Sequence, residues 1–440
     1  MKSSAAKTAR KFPLRTRGEK MRFPTSDTHT MMMEEIDTTQ ALAKAARQRD
    51  EKKLGEFLIV DGDMHHYESE SLREIIEFIE DPVLKQMAKS ETTVGSRATT
   101  TLLPGPVGQQ NLSGRITRYS LQRAEKTAEG NGRRSAQLTL RCMDAMGTDY
   151  ACLFPTPMLA LGLHPQVEVE AQLSRAYNRW MTEKVLAQEP RIVAMPYLPF
   201  NDPEATYQTV QEFANKKGVI GFLVVSARYN PVWDNAYMKT YALLEEIGKP
   251  IGFHAAYNWS DRIFSGTNKF IVAHLGFTLF HALACANWIA NGLPERFPKL
   301  KVIWIEAGLA WVPWLMQRLD NEYKMRTSEC PALKRLPSEY MREMYYTSQP
   351  MEMPEDWRVL ETTFRMMNAE TQLLWASDYP HWDMDLPSTI YDLPFLSEQA
   401  KRNILGENAR RLFQLDVRNR FPNYDPRIEE KSAVQIPAGR

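Results

Sequence analysis

Several features are scarce or missing in this 440-residue chain, and most of these absences remove a class of explanation. It has four cysteines, Cys142, Cys152, Cys285 and Cys330, with no Cys-x-x-Cys pair. That spacing excludes a disulfide framework and a cysteine-rich zinc module, and a reducing compartment, the cytoplasm by default, is expected. No stretch approaches the roughly 20 consecutive apolar residues of a spanning helix, so no membrane partner is expected. The start carries no apolar core of a secretory signal. Charge of one sign is also missing: 55 basic side chains face 54 acidic ones, for a formal net charge of +1. No global field therefore recruits nucleic acid or a membrane surface. Internal repeats and low-complexity tracts are absent too.

The basic residues are unevenly placed. Lys2, Lys7, Arg10, Lys11, Arg15, Arg17, Lys20 and Arg22 face one acid, Glu19, in the first 22 positions. Such a start suits a solvated tail, an organelle-targeting segment, or an arm lying on a partner subunit. Residues 1–55 are read as an N-terminal extension, helical over Met33–Lys53. With 43% hydrophobic and 25% charged residues, the remainder can bury a large core.

Eight short apolar runs suit buried strands: Phe57–Val60, Tyr150–Phe154, Ile192–Met195, Val219–Val225, Pro250–His254, Lys301–Ile305, Met344–Thr347 and Leu373–Ala376. Most are continuous rather than alternating, as in strands covered on both faces of a parallel sheet. Helical stretches separate most of them: Val167–Gln188, Asp202–Lys217, Trp233–Gly248, Leu279–Asn291 and Trp311–Met325, with Asp, Pro and Gly at their ends. Eight strands alternating with helices point to an α/β chain, a (β/α)8 TIM barrel over residues 56–417. Residues 71–134 interrupt it after the first strand. They include a helical part, Leu72–Lys89, and a Gly/Thr/Pro-rich part, Thr92–Gly114, and are read as an insertion or lid. Residues 418–440 form a polar C-terminal tail.

In such a barrel the site lies where strands end at the C-terminal face. Strand one ends in Asp61-Gly62-Asp63-Met64-His65-His66, strand five in His254, strand six in Glu306, and strand eight in Asp378 with His381 close behind. The strands were chosen on apolar runs alone, so the convergence of carboxylates and imidazoles at their ends is informative. That donor chemistry suits Zn, Mn or Fe. Asp63 and His65 are two apart, so an extended backbone turns both to one side. Glu306, His66, His274, His281 and His381 are spare donors for a second ion. His274 and His281 lie seven apart on one helical face, about 10 Å distant, and cannot share one ion.

These segments carry a resemblance. Val60-Asp61-Gly62-Asp63-Met64-His65 with Glu68, Asp144–Asp149 leading to Leu153-Phe154-Pro155-Thr156, Ala176-Tyr177-Asn178, Pro190-Arg191-Ile192, Glu295–Val302, Glu306–Pro313 and Ser377-Asp378-Tyr379-Pro380-His381 occur in order. Together the chain resembles the amidohydrolase-2 branch of the amidohydrolase superfamily over roughly residues 57–415, near its aminocarboxymuconate-semialdehyde and resorcylate decarboxylases. The resemblance implies the barrel, an enzyme and a divalent metal, zinc first, with manganese or iron as alternatives, as one ion or two. It implies Asp63, His65, His254 and Asp378 as ligands. Decarboxylase members usually carry a strand-six histidine where this chain has Glu306. Many relatives have His-x-His or Glu-x-His where it has Asp63-x-His65.

The expected activity is metal-dependent hydrolysis or decarboxylation of a small carboxylate-bearing or cyclic substrate. Asp378 is expected as the base, His254 as a catalytic ligand, and Glu306 as proton shuttle and further ligand. Arg262, Asn178, Trp259 and Trp311 are candidate substrate contacts, because arginine suits a carboxylate and indoles suit a ring. Two other readings stand beside it. One is a dinuclear Mn/Fe or di-iron oxygenase on the same barrel. The other is a non-catalytic paralogue in a hetero-oligomer. A homodimer is the default assembly.

Overall fold

The structure, a computed structural model, describes residues 38–93, 127, 130–256, 258, 261–264, 269–381 and 383–417. The basic start, most of the Gly/Thr/Pro-rich segment, Trp259 and the tail after 417 lie outside the described residues.

Eight strands occur in chain order: β1 Val60–His66, β2 Tyr150–Pro155, β3 Ile192–Val193, β4 Phe222–Val225, β5 Ile251–His254, β6 Val302–Ile305, β7 Tyr345–Thr347 and β8 Leu373–Leu374. All paired neighbours are parallel, in the runs β1-β2-β3 and β4-β5-β6-β7-β8. Two seams join these runs. Parallel bridges Ala194↔Val219 and Tyr197↔Leu223 link the β3 and β4 sides. On the other side the Gly62 and His65 N–H groups donate to Trp375 O and Tyr379 O at 2.9 and 2.7 Å, and the Asp378 N–H donates to Asp63 O at 2.8 Å. The result is the (β/α)8 barrel expected from the pattern.

The helices Val167–Trp180, Pro203–Phe213, Met238–Glu246, Lys269–Ala290, Trp311–Met325 and Trp357–Met366 fall between strands. Asp202 caps the second of these, its side chain accepting from the Glu204 and Ala205 N–H groups. The helix expected at Leu279–Asn291 begins ten residues earlier, at Lys269. Among the described residues no helix is long and apolar enough to cross a membrane. Part of the expected extension is the helix Thr38–Glu51, which packs on Arg133–Met146. The Ser388 hydroxyl donates to Gln48 Oε1 at 2.8 Å, tying that helix to the barrel.

The largest difference from expectation is β1. The apolar run Phe57-Leu58-Ile59 is buried but only leads into the strand, and pairing begins at Val60 and continues through His66. Propensity disfavours Asp and Gly in a strand. Here the tertiary setting overrides it, because β1 is flanked by β2 and by the β8 end. Its register against β2 shifts between Asp61 and Met64. Such an irregularity re-aims side chains at a barrel rim. Gly62 permits the close seam: a Cβ there would lie 3.2 Å from Trp375 O.

Outward faces of the strands pack against the helices through aromatic rings. Phe253 stacks on Trp304 at 4.7 Å between centroids, and Trp288 meets Phe253 edge-on. These contacts hold β5 and β6, and so the positions of His254 and Glu306 at their ends.

Candidate metal centre

Asp63 and His65 leave β1 on one side, His254 ends β5, Glu306 follows β6, and Asp378 follows β8. All five side chains are buried. His65 Nε2 lies 3.1 Å from Asp63 Oδ1 and 3.3 Å from Asp378 Oδ1. His254 Nε2 lies 3.4 Å from the same Asp63 oxygen. Two donor groups meet the spacing a metal ion needs: Asp63, His65, His254 and Glu306, and His65, Asp378 and His381.

The tautomers follow from the partners. The Pro155 carbonyl can only accept, so His65 Nδ1–H donates to it at 2.9 Å and Nε2 presents its lone pair. His254 Nδ1–H likewise donates to Ala255 O at 3.0 Å, which leaves Nε2 facing the centre. Both rings are thus held as a metal site holds its histidines.

Two of the carboxylates sit on unusual backbone. Glu306 and Asp378 have φ of 63° and 57°, in the left-handed region. Non-glycine residues there are strained, and such strain concentrates at functional sites. Cross-strand bonds hold it: the Glu306 N–H donates to Thr347 Oγ1 at 3.0 Å, and the Asp378 N–H is bound by Asp63 O.

The donor set was tested against a divalent cation on two observations. First, both oxygens of Asp63, Nε2 of His65, Nε2 of His254 and Oδ2 of Asp378 are buried with no hydrogen-bond partner. Buried polar atoms are normally satisfied, so five orphans on one centre call for a common partner. Second, like charges crowd there. Burial, and then the nearby Asp378 and Asp63 charges, push Glu306 well above the ordinary carboxylate range. Burial and then Asp63 do the same to Asp378. Burial also pushes Asp63 upward, but His254 and His65 outweigh it and hold that carboxyl low. His65 is pushed down to about 4, by burial and then His381. A cation amid these groups would relieve the repulsion and fill the orphans, so the residues fit a divalent metal.

Glu306 joins the first donor group through longer contacts. Its Oε2 is 3.4 Å from His254 Nδ1, the nitrogen turned away from the centre, and 4.0 Å from His65 Nε2. Asp61, grouped by sequence with the donors, serves the seam instead. Its Oδ1 accepts from the Ser377 N–H at 2.9 Å and the Asp63 N–H at 3.1 Å, and burial pushes it up to about 7.

Several expected donors and contacts lie elsewhere. His66 faces the opposite side of β1, as strand alternation dictates. It stacks on Trp180 at 5.6 Å and bonds to Tyr177 Oη and Ser135 Oγ. His281 is buried behind β5, between Ser226 Oγ and Phe253 O, and His274 is exposed. The Asn178 amide donates to Tyr197 O at 2.9 Å and accepts from the Tyr197 N–H at 2.8 Å, so its polar groups pin a helix to the barrel. Trp311 is a core residue, its Nε1–H bound to Gly308 O and its ring against Trp304 and Tyr346. Arg262 is exposed on a short turn after β5. Sequence reasoning used Phe154 and Thr156 only within a segment that carries the resemblance and gave neither a role at the site. Thr156 Oγ1 lies 3.4 Å from His65 Nδ1, and the Phe154 ring lies 5.0 Å from the His254 ring. Their signal was position alone, at the end of the second apolar run.

Comparison with known proteins agrees with this geometry. The family model described as amidohydrolase matches residues 116–415. Asp63 and His65 lie before that stretch. Gamma-resorcylate decarboxylase of Rhizobium radiobacter is 23% identical over 298 residues, covering 63% of this chain and 87% of that one. Among solved structures, 2,6-dihydroxybenzoate decarboxylase from Rhizobium is similar with a TM-score of 0.58 at 20% identity, over 82% of this chain and 99% of that one. A dihydroxybenzoic acid decarboxylase from Polaromonas, solved with bound manganese and the inhibitor 2-nitroresorcinol, gives 0.57 at 19% identity, over 82% and 97%. At these identities the structural likeness shows the fold, while the family model spans most of the chain. The chain therefore belongs to the amidohydrolase family, a family of metal-dependent enzymes, here on a (β/α)8 barrel.

Proposed function

We propose that this protein is a metal-dependent decarboxylase acting on a small carboxylated aromatic compound. The observation that carries the proposal is the set of buried, orphaned donor atoms on Asp63, His65, His254 and Asp378, which fall in two donor groups that share His65. The names of the similar proteins supply the substrate class.

Asp63, His65, His254 and Asp378 would hold the ion. An imidazole and carboxylate set suits manganese or zinc, and the manganese-bound relative makes manganese the first to test. When bound, the ion supplies Lewis-acid polarisation of a substrate oxygen. The remaining roles belong to the protein. Asp378 accepts the proton of a substrate hydroxyl. Glu306, in the donor group with Asp63, His65 and His254, holds a proton on its carboxyl, which burial and the neighbouring carboxylates favour. As the bond between ring carbon and carboxylate breaks, its electron pair stays on the carbon, carbon dioxide departs, and the Glu306 proton moves to that carbon. Burial of the site excludes water. The Phe154 ring offers an apolar wall.

The test is carbon dioxide release from 2,6-dihydroxybenzoate and related carboxylated phenols by the full chain, stripped of metal and then reloaded with manganese. Release that requires reloading supports the proposal. Release that is equal in stripped and reloaded protein refutes it. A two-ion centre is the second reading, favoured by the His65, Asp378 and His381 group. Two ions per chain with oxygen uptake would select it.

A further inference from the structure

We infer that His381 is a positioning residue, which holds the Asp378 carboxylate by its Oδ1 at the metal centre, beside His65 Nε2. The inference rests on the proposal that Asp378 meets the ion.

Asp378-Tyr379-Pro380-His381 is a tight turn. The His381 N–H donates to Asp378 O at 2.9 Å and folds the histidine back over the aspartate. The imidazole Nδ1 then reaches Asp378 Oδ1 at 2.7 Å, shorter than the His65 and His254 contacts of the cluster. With a cation bound, Asp378 would be ionised and could only accept, so His381 Nδ1–H would be the donor. Asp378 Oδ1 is thereby tied, while Oδ2 has no partner. Without the clamp the carboxylate could rotate and exchange its two oxygens.

The ring itself is held from two sides. It packs 4.4 Å from the His65 ring, and its Nε2 lies 3.5 Å from Thr156 Oγ1. Thr156 is in turn fixed by a buried carboxylate on the β1 side: its N–H donates to Glu68 Oε2 at 2.9 Å, and the Met158 N–H donates to Glu68 Oε1. The contacts run from Glu68 through the β2 loop to His381 and Asp378. They set the β1, β2 and β8 loops in one arrangement. Partners that orient a ligand in this way typically change metal affinity by about 10–100-fold when removed.

The test compares His381→Asn with His381→Gln in the full chain, by manganese titration with free ion read by electron paramagnetic resonance. Both replacements are neutral amides and differ in reach. The asparagine nitrogen falls where Nδ1 stood, on the atom bonded to Cβ, whereas the glutamine nitrogen overshoots toward Nε2. The expected result is affinity close to wild type in the asparagine variant and about a tenfold or greater loss in the glutamine variant, with one ion bound in each. Thermal unfolding of the metal-free proteins confirms that both fold. Equal affinities in the two variants, high or low, overturn the inference. A fall from two bound ions to one in both variants also overturns it, by making His381 a ligand. Wild-type protein that binds no ion refutes the proposed metal site itself, a result distinct from these.

Discussion

Manganese added to metal-free protein should raise its thermal stability, and Asp63→Asn should abolish the rise. The donors span Asp63 to Asp378 in sequence and meet only in the folded barrel, so the unfolded chain offers no comparable site. At free ion 100-fold above the dissociation constant, linkage stabilises the fold by about 2.7 kcal/mol. Roughly 340 residues are described, and at about 2.1 cal/mol/K per residue the unfolding entropy is about 0.7 kcal/mol/K, so Tm rises by about 4 °C. Asp63 contributes an anionic donor with both oxygens unpaired. Two unit charges about 4 Å apart interact by about 4 kcal/mol at an effective dielectric of 20. Losing that charge therefore weakens binding about a thousandfold, and at the same ion concentration the shift falls below detection. Differential scanning fluorimetry at matched free manganese reads both. No shift in the wild type, or an undiminished shift in Asp63→Asn, would refute the reasoning.

Glu306→Gln should retain the ion and lose turnover by about 10²–10⁴-fold; metal content and kcat on the same sample decide, and loss of the ion would make Glu306 a ligand. Trp311→Ala should cost about 3–5 kcal/mol of stability, and Asn178→Ala about 2 kcal/mol for the Tyr197 groups it strands, both with substrate affinity unchanged; denaturant melts and KM check this. Burial pushes His281 down to about 3. A histidine with a depressed folded value gives stability above its unfolded value of about 6.5 that is lost as pH falls toward 3. The stability advantage of wild type over His281→Gln should therefore shrink by about 2 kcal/mol from pH 6.5 to 5; a constant difference in urea melts would contradict it.

Much of this fold was legible because a parallel barrel buries its strands on both faces. Continuous apolar runs located seven of the eight strands to within a few residues. The exception, β1, shows where the method stops. Its polar residues Asp61, Asp63 and His65 sit inside the strand because the seam with β8 accommodates them, and no local preference reports a seam. The metal-type donors were legible as charged residues ending apolar runs, and the structure gathers Asp63, His65, His254, Glu306 and Asp378 into one buried cluster. Asn178 and Trp311 were named as substrate contacts from residue type, which does not distinguish a buried group bonded within the fold from one that meets a ligand. His66 could have been set aside, since alternation along β1 turns it away from His65. The hold of His381 on Asp378 depends on the turn between them, a tertiary detail that spacing alone does not fix.

The central claim is that the strand-end cluster holds a divalent ion on which decarboxylation depends. The most direct measurement is carbon dioxide release from 2,6-dihydroxybenzoate by one preparation, assayed as purified, after chelation and after manganese reloading, with metal content determined at each stage. The account predicts activity that falls and returns in proportion to bound metal. Undiminished release from protein shown to hold no metal would contradict it.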